Sequence, residues 1–442
     1  MHDDAAPSFP DSTQIGAVEV VPSGPLSGSC RAPSSKSLTN RLLLIAALAE
    51  GTSHLTDVLS SDDTAVMIAA LRRLGCGVVD VGGGAVEVQG ANGNLSVPDG
   101  VIYAGLSGTT LRWLSAAALL VRGTVVLDGA PPLRRRPMTA LIRALETLGA
   151  RVEADGGRPP LRITSRGLRG GQVRVDAAAS SQFVTSLLLV GPYGDSDLEI
   201  QVDNLGAEGY VRLTLEAMAR WGARVGRSAT GEYKVAALDR YKARDEAIEY
   251  DASAACHLFA LAMATGGSVT VLNAVETSQP DAGLTAVFAE MGGALAPSKR
   301  GGVTVTGPAE MSGVDIDVAS MPDQVPTLAA LGALARGTTR LRNASIARGH
   351  ETDRVAAIAR ELRKLGASVE EERDTLTVRG GRPLVGTVLD TYDDHRMAMA
   401  LSSVAAVVPG VVIREPGCVK KTYPAYWRDA AALGLRLLPF AL

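Results

Sequence analysis

Lys36 sits in the run Ser34-Ser35-Lys36-Ser37-Leu38-Thr39-Asn40-Arg41, directly before an apolar helical stretch at 42–48. Hydroxyls, a lysine and an arginine at a helix start are what an anion site needs. The backbone N–H groups and the helix dipole face the anion, and the side chains add formal charge. An ordinary N-cap with solvated cations is the plainer alternative. Six further segments share this character: Ser107-Gly108-Thr109-Thr110-Leu111-Arg112, Arg134-Arg135-Arg136-Pro137, Ala179-Ser180-Ser181-Gln182, Arg348-Gly349-His350-Glu351-Thr352-Asp353-Arg354, Asp393-Asp394-His395-Arg396 and Lys420-Lys421-Thr422. Gly108 lets a ligand approach the backbone closely, and the neighbouring threonines offer hydroxyls. Arginine binds phosphate or carboxylate through two nitrogens at once. Only 7 of the 44 cations are lysines, so it matters that three of them, Lys36, Lys420 and Lys421, fall in these segments. Taken singly each segment reads as a cap or a surface turn. Together they describe an electropositive site for a multiply anionic ligand. Carboxylates inside such a site, Asp323 and Glu351, are its acid/base candidates.

The elements that must hold these segments repeat. Six times an apolar helical stretch runs out into an apolar residue, a glycine and a strand, with the glycines at Gly75, Gly149, Gly222, Gly292, Gly366 and Gly434. The gaps are 74, 73, 70, 74 and 68 residues, the mark of one folding unit copied along the chain. Met67, Ala70, Leu71 and Leu74 give one apolar helix face, with Asp62 or Asp63 as its cap. Each glycine supplies the left-handed conformation that ends the helix. Strands are expected at 78–79, 151–153, 223–225 and 368–370, and a second one, 85–88, after the turn Gly82-Gly83-Gly84. The unit is βαβαβ-like and too small to bury its own face. No polar capping copies stand at either end, so two globular domains of three copies fit better than a solenoid. The boundary falls near residue 248, within the charged, turn-rich segment 238–251, and the strand at 17–21 is assigned to the opposite domain.

A net charge of −3 gives no reason to expect nucleic acid, and no run reaches the eighteen apolar residues of a membrane helix. The N-terminal stretch, 1–16, reads as a disordered tail rather than a signal peptide. Cys30, Cys76, Cys256 and Cys418 are scattered, without CxxC or His/Cys clustering; that argues for a reducing, cytoplasmic setting and against structural zinc.

From about Val18 to Trp427 the chain resembles the 5-enolpyruvylshikimate-3-phosphate synthases, a branch of the enolpyruvyl transferase family. The motifs that carry the resemblance are Ser35-Lys36-Ser37-x-x-Asn40-Arg41, Ser107-Gly108-Thr109-x-x-Arg112, Arg136-Pro137, Ser180-Ser181-Gln182, Pro322-Asp323, Glu351-Thr352-Asp353-Arg354, Asp394-His395-Arg396-Met397-Ala398-Met399 and Lys421-Thr422-Tyr423-Pro424. It implies a two-domain inside-out α/β barrel of six βαβαββ units. One domain takes 34–248, the other 17–33 with 249–442, and the active site lies in the cleft between them. It further implies a monomer that uses no metal or organic cofactor. The reaction moves the enolpyruvyl group of phosphoenolpyruvate (PEP) to the 5-hydroxyl of shikimate-3-phosphate and releases phosphate. In that scheme Lys36, Gly108, Arg136, Gln182, Arg354, Arg396 and Lys421 surround PEP. Glu351 shuttles the proton of the methylene carbon with His395 nearby, and Asp323 with Lys36 takes the proton of the attacking hydroxyl. Ser37, Arg41, Ser180, Ser181, Gln182, Tyr210, Asp323 and His350 bind shikimate-3-phosphate.

Departures from the family pattern fall mostly on the acceptor side. Leu106 stands where an Asn is usual, Ala207 replaces a phosphate-binding Ser, Ile346 replaces an Asn, and His350 replaces a Lys. Two readings fit this: a divergent shikimate-pathway enzyme, or a relative that transfers enolpyruvyl to another phosphorylated alcohol, a sugar or nucleotide. The branch acting on UDP-N-acetylglucosamine fits less well. It carries Lys-Asn where this chain has Lys36-Ser37, and a reactive Cys in the loop occupied here by 131–136. Gly108 implies sensitivity to the PEP mimic glyphosate, with Leu106 and Trp113 as atypical neighbours.

Overall fold

The computed structural model describes residues 15–228 and 231–441; the expected disordered tail lies outside the described residues up to position 14. The chain divides into two compact units. One is Ser34–Glu249; the other takes the chain up to Pro33 together with Tyr250–Leu442. Each holds three four-stranded sheets and its own apolar core.

The second copy shows the pattern. Strand Val101–Tyr103 leads to helix Gly108–Ala117, strand Gly123–Asp128, helix Thr139–Thr147 and the hairpin Arg151–Asp155 and Arg158–Ser165. The first two strands are parallel, with Val101 opposite Val126. A parallel pair needs a crossover, and the helix supplies it. The fourth strand then lies antiparallel to both the second and the third. The unit is therefore βαβαββ, one strand more than the periodicity alone predicts. The glycines after the second helices all have positive φ: +92° at Gly75, +104° at Gly149, +93° at Gly222, +100° at Gly292, +91° at Gly366 and +105° at Gly434. An L side chain is strained there, which is why the repeat is punctuated by glycine.

The two helices of a copy differ in burial. The first is enclosed on nearly all sides: Lys36–Leu48 is buried from Leu38 onward, and Ala252–Thr265 from Ala252 to Met263. The second is amphipathic and covers the sheet from outside. Thr139–Thr147 buries only Leu141, Ile142, Ala144 and Leu145. In each unit helices form the middle and sheets the wall. The candidate residues cluster at the N-terminal ends of the enclosed helices, at Lys36, Gly108, Gln182 and His395.

Three local expectations are corrected. The first helix starts at Lys36, not at residue 42, because Ser35 takes the N-cap position and accepts from Leu38 N–H (3.3 Å). The Ser/Thr/Asn run reads as loop because such side chains compete for backbone bonds. Here they are inside the helix. The helix Asp62–Arg73 is capped by Ser61 in a capping box with Thr64, which leaves Asp63 for another use. The strand expected at 223–225 is Val225–Arg227.

Three copies borrow strands; the fourth takes Ser27–Cys30, parallel to Ser268–Val271. The last sheet is completed by Ala17–Val21, which runs antiparallel between Val411–Arg414 and Arg436–Phe440. The first is completed by Glu246–Ala247, parallel to Thr52–Thr56. Val18 and Val20 are fully buried in the borrowed strand, while Glu19 points the other way. Val18→Asp is expected to lower the urea midpoint of its unit sharply, since it buries an unpaired charge. Ile413→Ala, opposite Val18, should cost ~2–5 kcal/mol. Glu19→Gln should leave the midpoint within experimental error.

Candidate active site

In the unit completed by the chain's two ends, the site is organised around one buried guanidinium. Arg354 is fully buried at the start of helix Arg354–Lys364. Its Nε donates to Asp394 Oδ2 (2.7 Å), and Nη2 to Asp394 Oδ1 (3.1 Å). Nη2 also reaches Glu351 Oε2 (2.7 Å), and Nη1 reaches Asp323 Oδ1 (2.6 Å). Two of these carboxylates hold a second cation. Glu351 Oε1 accepts from Lys421 Nζ (2.5 Å), and Asp323 Oδ2 lies 2.8 Å from Arg396 Nη2. Four segments far apart in sequence thus meet through ion pairs.

The electrostatics follow from burial against charge. Burial alone would lower the pKa of Arg354, but Asp394, Glu351 and Asp323 push it up, so the cation is permanent. Burial would raise Asp323, yet Arg396 and Arg354, then His350, hold it well below the usual carboxylate range. His395 is 1% exposed, 3.6 Å from Asp394 Oδ1, and neither ring nitrogen has a hydrogen-bond partner among the described residues. Burial first, then Arg396 and Lys421, push its pKa well below 6.5, so it is a neutral imidazole at neutral pH.

The unit Ser34–Glu249 holds a second set. Arg112 Nη1 donates to Gln182 Oε1 (2.8 Å) and to Ser180 Oγ (3.2 Å), and Gln182 Nε2 reaches Thr109 Oγ1 (3.4 Å). Ser181 stands at the N-cap position of helix Gln182–Val190. Lys36 Nζ lies 3.5 Å from Asp63 Oδ2. Arg41 is 2% exposed and spends its donors inside the protein: Nε on Thr214 Oγ1 (2.9 Å), Nη1 on the Ser37 carbonyl (2.8 Å) and Nη2 on the Tyr210 carbonyl (2.9 Å). Its guanidinium also lies 4.9 Å from the Trp113 ring centre, and burial lowers its pKa to about 10. Gly108 is in close contact with Arg136: a Cβ there would stand 2.7 Å from Arg136 Nη1. The arginine triplet divides, with Arg134 paired to Asp128 on the surface and Arg136 half-buried at Gly108.

The candidates therefore fall into two sets, one per unit. Asp323, His350, Glu351, Arg354, Arg396 and Lys421 are joined directly, with His395 beside them. Three contributors were missing from the sequence-based candidates. Asp394 was visible only as part of a motif, Asp63 only as a cap, and Arg112 only as the last residue of a glycine-bearing segment. Each reveals its role through a partner distant in sequence, and no local pattern carries that information.

A family model described as EPSP synthase (3-phosphoshikimate 1-carboxyvinyltransferase) matches residues 20–430. The chain belongs to the EPSP synthase family. Among relatives named 3-phosphoshikimate 1-carboxyvinyltransferase, that of Nostoc punctiforme is 38% identical over 91% of this chain and 95% of its own. That of Thiobacillus denitrificans is 40% identical over 92% and 97%. The chloroplastic enzyme of Petunia hybrida is 39% identical over 91% and 82%. An EPSP synthase structure from Acinetobacter baumannii, 23% identical, covers 96% of this chain and 99% of its own with a TM-score of 0.81. The inside-out α/β architecture expected from the sequence is thus the fold of the EPSP synthase family.

Two outcomes follow from the buried charges. Asp394→Asn leaves Arg354 short of a partner in a fully buried pair; it should destabilise the unit by ~3–5 kcal/mol in urea unfolding. His257, fully buried with Nδ1 3.3 Å from Thr327 Oγ1, is kept neutral by burial, then by Arg396 and Arg354. The unfolded chain takes up this proton near pH 6.5 while the folded one refuses it, so stability falls as pH drops below that value, by up to ~1.4 kcal/mol per unit. His257→Gln should flatten that acid slope in unfolding curves taken at successive pH values.

Proposed function

We propose that this protein transfers the enolpyruvyl group of PEP to the 5-hydroxyl of shikimate-3-phosphate, releasing inorganic phosphate. The supporting observation is that Asp323 and Glu351 each bridge Arg354 and a second, different cation. Such an arrangement supplies two carboxylates for two separate proton transfers, and three cations for one multiply charged substrate. The relatives of about 40% identity that span nearly the whole chain carry the name of this activity. The acceptor-side departures Ala207, Ile346 and His350 are then variations within the activity rather than signs of another alcohol.

In this reading the cations of the Arg354 cluster act on PEP, and Lys36, Gly108, Arg136 and Gln182 carry the PEP-binding roles that the family resemblance implies. Lys421 and Arg354 pair with the Glu351 carboxylate. PEP's phosphate and carboxylate compete for those cations and release Glu351 for proton transfer. Glu351 can then give a proton to the methylene carbon and later take one back, with neutral His395 next to it. Asp323 remains ionised and receives the hydroxyl proton as the oxygen adds to C2. The cations stabilise phosphate as it departs. Ser37, Ser180, Ser181, Gln182, Tyr210, Arg41 and His350 serve the acceptor, Arg41 by fixing the backbone of Ser37 and Tyr210.

No helix among the described residues is long and apolar enough to cross a membrane. The four thiols are free, and burial lifts Cys30, Cys76 and Cys418 to about 12, away from the reactive thiolate. The free, unreactive thiols support the reading of a cytoplasmic protein.

Phosphate release from PEP with shikimate-3-phosphate is the direct test. Wild-type turnover is expected, with Glu351→Gln and Asp323→Asn each reducing kcat by at least ~10²-fold. Turnover unchanged by Glu351→Gln would overturn the assignment. Glyphosate should inhibit in competition with PEP. Gly108→Ala should weaken both, because its methyl group displaces the Arg136 guanidinium.

A further inference from the structure

His350, Asp323 and Arg354 form a closed triangle of contacts. Arg354 Nη1 is 2.6 Å from Asp323 Oδ1 and 2.9 Å from His350 Nδ1, and His350 Nδ1 is 3.1 Å from Asp323 Oδ1. One ring nitrogen cannot both accept from Arg354 and donate to Asp323. With Nδ1 bare, the ring accepts from the guanidinium; with Nδ1 protonated, it donates to the carboxylate. Both contacts are of hydrogen-bonding length, so the geometry accommodates a proton on either side of the Asp323–His350 pair. The rest of the ring is placed for exchange. Its side chain is 23% exposed, and no protein group bonds Nε2 among the described residues.

We propose that His350 is the second acceptor of the hydroxyl proton, taking it from Asp323 through Nδ1 and releasing a proton to water from Nε2. This deepens the reading given above and rests on Asp323 as the first acceptor. The steps balance. The hydroxyl O–H bond breaks as its oxygen bonds C2 of PEP, and the proton goes to Asp323 Oδ1. It then moves to Nδ1, while the Nε2 proton leaves to solvent; before the next turnover Nε2 regains a proton from water and Nδ1 gives one up, which restores the starting tautomer. The departing phosphate takes up an equivalent proton, so no net charge accumulates.

The chemistry gives a reason for the second step. Asp323 faces Arg354 and Arg396, which make it a stable anion and a poor place for a proton to stay. Imidazole is the more basic group, although burial, opposed by Asp323, lowers its pKa from the ordinary value. The other charged groups around the ring are Arg354, which disfavours its cation, and Glu351, which favours it. A proton passed to His350 restores the Asp323 carboxylate to its two arginines. A lysine at this position, already charged at neutral pH, offers no such acceptor.

The discriminating experiment is chemical rescue. His350→Ala should lose about 10²-fold in kcat with KM for PEP nearly unchanged, and tens of millimolar imidazole should restore kcat at least tenfold. Asp323→Asn should be equally slow and insensitive to imidazole. His350→Gln should lack the acid-side fall in kcat that wild type shows as the imidazole becomes protonated before turnover. Two results would overturn the proposal: His350→Ala and His350→Gln within twofold of wild type at every pH, or a slow His350→Ala that imidazole does not rescue. Full turnover by Asp323→Asn would instead remove the underlying assignment of the first acceptor.

Discussion

A guanidinium with no exposed surface must be compensated where it lies, and the compensation of Arg354 shapes everything near it. Leaving it unpaired would cost several kcal/mol, so the fold has to bring carboxylates to it from two distant segments, beside Glu351 of its own. Asp394 takes two of its nitrogens and is itself fully buried; this pair is structural. Glu351 and Asp323 keep some exposure and a second cation each, which leaves them free to change partners. In the proposed mechanism the acid/base roles fall on the two exchangeable contacts, not on the sealed one.

The scaffold explains how so many charges come together. Asp394 accepts from Arg396 N–H at the start of its helix, and Asp353 does the same for Ala356 at the start of the helix carrying Arg354. Each cap fixes a helix terminus, and each terminus aims backbone N–H groups and a positive dipole end at the cluster. Repetition of one βαβαββ unit places enclosed helices side by side, with their starts available for site residues. A site made this way uses a few side chains per copy and needs no copy to be complete.

Much of this was legible in the chain. The period of the glycines exposed the repeat because a positive φ after each helix demands glycine in every copy. The polar segments were recognisable because they break an otherwise apolar pattern. What could not be read were the long-range partners. Asp63 looks like a cap until Ser61 is seen to fill that position, and Arg41 looks like a ligand-facing cation until Thr214 and two carbonyls are seen to hold it. The first helix was read six residues short because hydroxyl and amide side chains mark loops by composition, whereas here Ser35 caps and the remainder continues the helix. Local rules failed where a polar side chain was satisfied by something distant.

The borrowed strand at Ala17–Val21 has a consequence for the order of synthesis. Its two neighbours, Val411–Arg414 and Arg436–Phe440, leave the ribosome long after it. Ser34–Glu249 is continuous and can close as soon as its own residues have emerged. The strand has to wait, with Val18 and Val20 unburied, until both neighbours have been made. For that interval the nascent chain carries an unpaired apolar edge, and its protection is a matter of kinetics and chaperones rather than of the finished structure.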